Sequence, residues 1–119
     1  MGRRSRRRGV EKVVAPESEY HDTTGNVLAL RGAMSPSARR KYAETFDGSP
    51  LSREDAWQQA VEFLFEQLAT RWEIAGTDPI ERPKELIGRY RMASASERQF
   101  VRDSLRAHLA EHFPEVQAP

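Results

Sequence analysis

The stretch Ser52–Gly76, SREDAWQQAVEFLFEQLATRWEIAG, decides how this chain is read. Stepped at about 100° per residue, Trp57, Val61, Leu64, Leu68, Trp72 and Ala75 fall within about 80° of arc, the width of a stripe that faces a core. Ser52 followed by Asp55 resembles a capping box, with Asp where Glu or Gln is preferred. Gly76 stands where a helix commonly ends in the left-handed C′ conformation. The spacing predicts one long helix from Ser52 to about Ala75. Phe63, Ile74 and Ala56 gather about 100° to one side of the stripe, and Phe65 and Ala69 widen its other side. Asp55, Gln58, Glu62, Glu66 and Glu73 keep the only clean polar face. A helix apolar over more than half its circumference is central in a bundle or shared with a partner. Phe63, Ile74 and Ala56 are therefore the expected partner-binding residues.

Shorter helices are legible on either side. Ser35 then Pro36 reads as an N-cap with Pro at N1, opening a helix to about Phe46. Asp47-Gly48-Ser49-Pro50 closes it as a turn. Thr77 to Pro83 is a loop, and a short helix covers about Lys84–Met92. Ser94 with Glu97 is a full capping box, and the last helix runs to Phe113, where Pro114 ends it. The first helix offers Ala38, Tyr42 and Phe46, the short one Leu86, Ile87 and Tyr90, and the last one Val101, Leu105, Leu109, His108 and His112. These pack around the long helix as an all-α domain, residues 34–116, a small bundle of about four helices. At that size one core supplies about 3–5 kcal/mol, so oligomerisation or a partner would help. Upstream, Asn26-Val-Leu-Ala-Leu30 is an apolar run between Gly25 and Gly32. It reads as a strand or an extended arm. A strand needs a partner strand and none is evident, so residues 25–33 are expected as an extended segment. Residues 1–24 are expected as a disordered basic arm, because Val13 to Ala15 alone cannot offset chain entropy.

Composition narrows the function. The chain has 119 residues, one small domain by length, with 38% hydrophobic and 31% charged residues and no cysteine. That excludes disulfides, thiolate zinc sites, iron–sulfur ligation and cysteine nucleophiles, and fits a reducing cytosol. There is no apolar run of about 18 residues for a transmembrane helix, and the basic start is followed by no apolar segment of the kind a secretory signal needs. The expected location is cytoplasmic. The net charge of +1 conceals an asymmetry: residues 1–12 hold six basic side chains and one acidic, and residues 13–119 hold 13 and 17. A basic tail on a mildly acidic body points to a polyanion-seeking arm or to self-complementary contacts.

Candidate chemistry is sparse. His108-Leu-Ala-Glu111-His112 spells the inverted zinc-protease motif, and His at i and i+4 share a helix face. A catalytic zinc needs a third protein ligand, only seven residues follow His112, and Glu111 falls to one side of both His, about 60° around the helix from His108 and about 100° from His112. Both His therefore read as half-buried packing residues, and no metal or cofactor is expected. No G-x-S-x-G, P-loop or G-x-G-x-x-G is present, so no catalytic residue is assigned. Trp57 and Trp72 read as core. Basic residues form the other group: Arg3, Arg4, Arg6, Arg7 and Arg8 in the arm, Arg39-Arg40-Lys41, and Arg98, Arg102 and Arg106 as an i, i+4, i+8 ridge. These would neutralise phosphates, although Glu97, Asp103 and Glu111 stand close enough to pair with the ridge. A helix-turn-helix from the last two helices lacks the usual central Gly, and the ridge does not stand at a helix N-terminus.

From Asn26 to Val116 the layout resembles small actinobacterial phage or prophage proteins of the tail-assembly-chaperone kind. The resemblance lies in Asn26-Val-Leu-Ala-Leu-Arg-Gly32, Arg53-Glu-Asp-Ala-Trp57 with Phe63-Leu-Phe65, Trp72-Glu-Ile-Ala-Gly76 and Arg106-Ala-His-Leu-Ala-Glu-His-Phe-Pro114. It implies a helical, non-enzymatic protein that holds an extended partner during assembly; the Arg-rich start lies outside it. The expected function is thus a protein–protein interaction or assembly module acting on another protein or on a second copy of itself. The alternative is a nucleic-acid-binding protein using Arg3–Arg8 and the Arg98–Arg106 ridge.

Overall fold

The computed structural model describes residues 16–46 and 53–119. The arm arginines, the Asp47–Pro50 turn and Ser52 of the expected capping box lie outside the described residues. Among those described, strands β1 (Glu17–His21) and β2 (Val27–Arg31) precede helices α1 (Pro36–Glu44) and α2 (Arg53–Leu68). Strand β3 (Ala69–Glu73) and helices α3 (Pro83–Arg91) and α4 (Ala95–His112) follow. The strands form one antiparallel sheet in the order β1-β2-β3.

The protein is therefore mixed α/β, and neither the all-α class nor the helical bundle holds. The expected long helix ends at Leu68, and the next residue begins a strand. Over Leu68–Glu73 the two periodicities coincide. Leu68 and Trp72 lie on one helical stripe, and Trp72 also points inward from a strand paired as Leu28↔Trp72. What breaks the tie is β2. Its backbone needs hydrogen-bond partners on both sides, because a buried unpaired ladder group is costly. β1 covers one side through pairs running from Glu17↔Arg31 to His21↔Val27, and Ala69–Glu73 covers the other. The run at residues 26–30 is thus the central strand, with Leu28, Ala29 and Leu30 fully buried. Residues 17–21, expected within the arm, form its edge strand.

Irregularities fit the switch. The β2–β3 register shifts between Ala29 and Leu30, which leaves Thr70 as the extra residue. Its hydroxyl donates to the Ala29 carbonyl at 3.2 Å and to the Glu17 carboxylate at 2.6 Å. Gly76 does take a positive φ of 87°, but in the turn after β3, where Thr77 N–H donates to the Ile74 carbonyl at 3.0 Å. Trp72 then exchanges two backbone hydrogen bonds of 2.9 Å with Ile80, extending the sheet by one bridge.

One sheet face packs on the helices through Leu28, Leu30, Ala69 and Trp72 against Leu64, Phe65, Leu68, Tyr90, Leu105 and Leu109. The other face is polar. Arg71 pairs there with Glu73 at 2.7 Å, with Glu17 at 3.5 Å and, more tightly, with Glu19. Glu19 and Arg71 are the two register partners of Ala29, so their ion pair spans the sheet over that small residue. Local capping matches the sequence reading: Ser35 accepts from Ala38 N–H at 3.1 Å, and Ser94 and Glu97 form the reciprocal capping box of α4.

Candidate functional site

The ridge on α4 sits beside α2 and α3 and lines a cleft with them. Arg98, Gln99 and Arg102 from α4, Trp57 and Val61 from α2 and Tyr90 from α3 surround a volume of about 380 Å³. The Arg102 guanidinium carbon stands 4.7 Å from the Trp57 ring centroid, and that of Arg98 stands 5.2 Å from Tyr90. Both are cation–π stacks, favourable by about 0.5–2 kcal/mol each depending on desolvation. They hold long, flexible side chains against one wall of the cleft. Burial raises the Tyr90 hydroxyl above its usual range, partly opposed by the charge of Arg98.

The acidic residues expected to pair with the ridge are engaged elsewhere. Glu97 binds Arg89 at 2.7 Å, and that contact, with the hydrogen bonds of the α4 cap, holds its carboxyl below the usual range. Asp103 accepts from Gln99 at 2.8 Å. Glu111 stands 3.9 Å from His112. Among the described residues Arg98, Arg102 and Arg106 have no carboxylate partner. Arg98 donates to the Arg91 carbonyl at 2.9 Å. The Nε of Arg102 is buried without an acceptor among the described residues, an unmet donor of the kind that costs about 1–3 kcal/mol.

Other sequence-derived candidates separate. Ala56 is only 6% exposed and belongs to the core. Phe63 is half-buried and lines a second groove, of about 510 Å³, with Lys41 and Glu44 of α1 and Glu66 of α2. Ile74 follows β3 and is half-buried against the core. With the helix ending at Leu68, the single apolar face meant to join these three residues does not form. Trp72 is fully buried, as expected, with Arg89 over its ring at 5.5 Å. Trp57 is half-buried at the cleft. Sequence reasoning placed it in the core, because nothing local to α2 announces that Arg102, far along the chain, will cover its ring.

The histidines of the H-x-x-E-H motif bind the sheet to α4. His108 is fully buried. Its Nε2 lies 2.8 Å from the Arg31 carbonyl, which can only accept, so Nε2 carries the proton. The Tyr20 hydroxyl then donates to Nδ1 at 2.8 Å. His112 Nε2 lies 3.1 Å from the Ser18 hydroxyl. Desolvation lowers the pKa of His108, with the neighbouring His112 adding to it and the Arg31 contact opposing it. Among the described residues no group of three or more His, Cys, Asp or Glu is placed to hold a metal ion, and no helix is long and apolar enough to cross a membrane.

No protein-family model matches the chain, and no significant match is found among curated proteins or among solved structures.

Proposed function

We propose that this protein is a non-enzymatic protein–protein interaction module whose partner contacts the α2–α3–α4 side, at the cleft of Trp57, Tyr90, Arg98 and Arg102. The observation that carries the reading is the pair of guanidiniums stacked on aromatic rings and left without carboxylate partners among the described residues. Aromatic and Arg side chains are the groups that concentrate binding energy at protein interfaces. An assembly role, holding an extended partner segment as the resemblance implies, is one form such a module takes.

A nucleic-acid reading draws on the same ridge together with Arg3–Arg8. The body works against it. Glu54 lines the cleft, and Glu62 lies beside Arg98 on the α2 side. An extended phosphate backbone laid along α4 would meet these carboxylates well within a Debye length of about 8–10 Å.

The test is a photo-crosslinking residue in place of Gln58, on the cleft wall, in the full chain within the cells that make it. The same residue at exposed Asp78 serves as control. Discrete protein adducts from position 58 alone support the module. Adducts to nucleic acid favour the second reading, and the absence of adducts rejects both.

A further inference from the structure

We infer that the cleft between α2 and α4 receives a carboxylate from an acidic segment of the partner protein, held by Arg98 and Arg102 against Trp57. The inference rests on the interaction-module reading and specifies its partner.

Three observations lead to it. First, both guanidiniums lie over ring faces, at 5.2 Å and 4.7 Å. A guanidinium seated over a ring still carries its planar fork of donors, and a carboxylate presents two acceptors in the matching geometry. Second, donors are in excess. Glu97 and Asp103, the nearest acids of α4, are held by Arg89 and Gln99. The Nε of Arg102 is buried with no acceptor among the described residues, and neither Arg98 nor Arg102 has a carboxylate partner among them. Third, charge and size limit the occupant. Glu54 lies on the wall of the same cleft, and the volume of about 380 Å³ is at the small end of binding clefts. One or two side chains fit, and the mixed charge favours a single carboxylate over a run of phosphates. Trp57 and Val61 give an apolar wall for the residue next to that carboxylate.

The experiment titrates the full chain with three probes at about 150 mM salt. One is an N-acetylated, C-amidated octapeptide alternating Glu and Leu. The second has Gln in place of every Glu, and the third is a short DNA duplex. Indole fluorescence is the readout: Trp57 is half-exposed at the cleft while Trp72 is fully buried, and a Trp57→Phe variant identifies which ring responds. The expected result is saturable binding of the Glu peptide, lost in fluorescence with Trp57→Phe and at least roughly tenfold weaker with the Gln peptide. Arg102→Gln should weaken the Glu peptide by a similar factor, the loss of one charge-assisted contact. Arg98→Gln should do likewise, both with unchanged circular dichroism. Equal binding of the two peptides overturns the inference, as do unaltered affinity in both Arg variants, a response that persists in Trp57→Phe, or tighter binding of the duplex at the same site. No saturation up to about millimolar peptide, an affinity of only about −4 kcal/mol, overturns it as well. Protein adducts from position 58 alongside any of these results would leave the module standing and its acidic partner rejected. Loss of the adducts themselves would remove the module.

Discussion

His108 makes two hydrogen bonds in a site closed to solvent, and its chemistry there is that of a neutral imidazole. Burial lowers its folded pKa below the ordinary 6.5. A proton bound by the unfolded chain and not by the folded one makes stability rise with pH. Stability should therefore be fully present above about pH 6.5 and decline as pH falls through the lower folded value. Chemical denaturation at a series of pH values checks this; His108→Gln should flatten the profile near pH 6, and an unchanged slope would contradict it. Gly32 is sterically required. A Cβ there would stand 2.9 Å from the Pro16 carbonyl oxygen and 3.4 Å from His112 Nδ1. Gly32→Ala should destabilise by roughly 1–3 kcal/mol in denaturant melts, the range for overpacking. Trp72 carries a buried indole N–H with no partner among the described residues. Trp72→Phe loses packing but also removes an unmet donor, so its loss should fall below the roughly 3–5 kcal/mol expected of Trp→Ala.

At the scale of elements, the β1–β2 turn shows how a short loop locks two strands to a third. Asp22 accepts from the N–H groups of Thr24 and Asn26, each at 2.9 Å, and from the Asn26 amide at 2.8 Å. Desolvation works against the charged carboxylate, but these hydrogen bonds prevail and hold Asp22 below its usual range. Asn26, buried, turns its Oδ1 to the N–H of Ala75 at 2.9 Å, just past β3. Gly25 supplies the positive φ of 92° that lets the turn close. Asn26→Ala removes this bridge and leaves the Ala75 N–H short of a partner. The expected loss is roughly 1–3 kcal/mol, with faster hydrogen exchange at the β3 end; protection unchanged at Ala75 would refute the bridge. The helix–strand junction at Leu68 was not legible, because a five-residue strand and one helical turn bury the same residues there. Capping was legible: Ser35, Pro36, Ser94 and Glu97 act through contacts within four residues.

For the whole molecule, charge is distributed by side. The sheet's outer face gathers Glu17, Glu19 and Glu73 around Arg71, with Arg31 exposed beside Glu17. The opposite, helical side carries Arg98, Arg102 and Arg106 without carboxylate partners among the described residues. Contacts between exposed charges of two copies are weak and salt-dependent. Light scattering coupled to size exclusion at 50 and 500 mM salt should therefore show any association of the full chain vanish at the higher salt. A defined oligomer that persists there would point to an apolar interface in place of a charged one. The candidate site belongs to this scale. Its basic half was visible as an i, i+4, i+8 pattern in Arg98, Arg102 and Arg106. Its aromatic half was not, because Trp57, Tyr90 and Arg102 lie on three helices and meet only when those helices pack.

The amino-acid sequence alone determined the features that act over a few residues: the capped starts of α1 and α4, the apolar run at residues 26–30 and the i, i+4, i+8 spacing of Arg98, Arg102 and Arg106. Each depends on local sterics or on one repeat length. Tertiary packing settled everything in which two distant segments compete for the same backbone. It converted Ala69–Glu73 from helix to strand, because β2 offered a ladder that helical hydrogen bonds could not supply. It recruited Glu17–His21 as a strand through pairing with β2 and through His108 and His112. It also brought Trp57 under Arg102, turning a residue from the expected core stripe into one wall of a cleft.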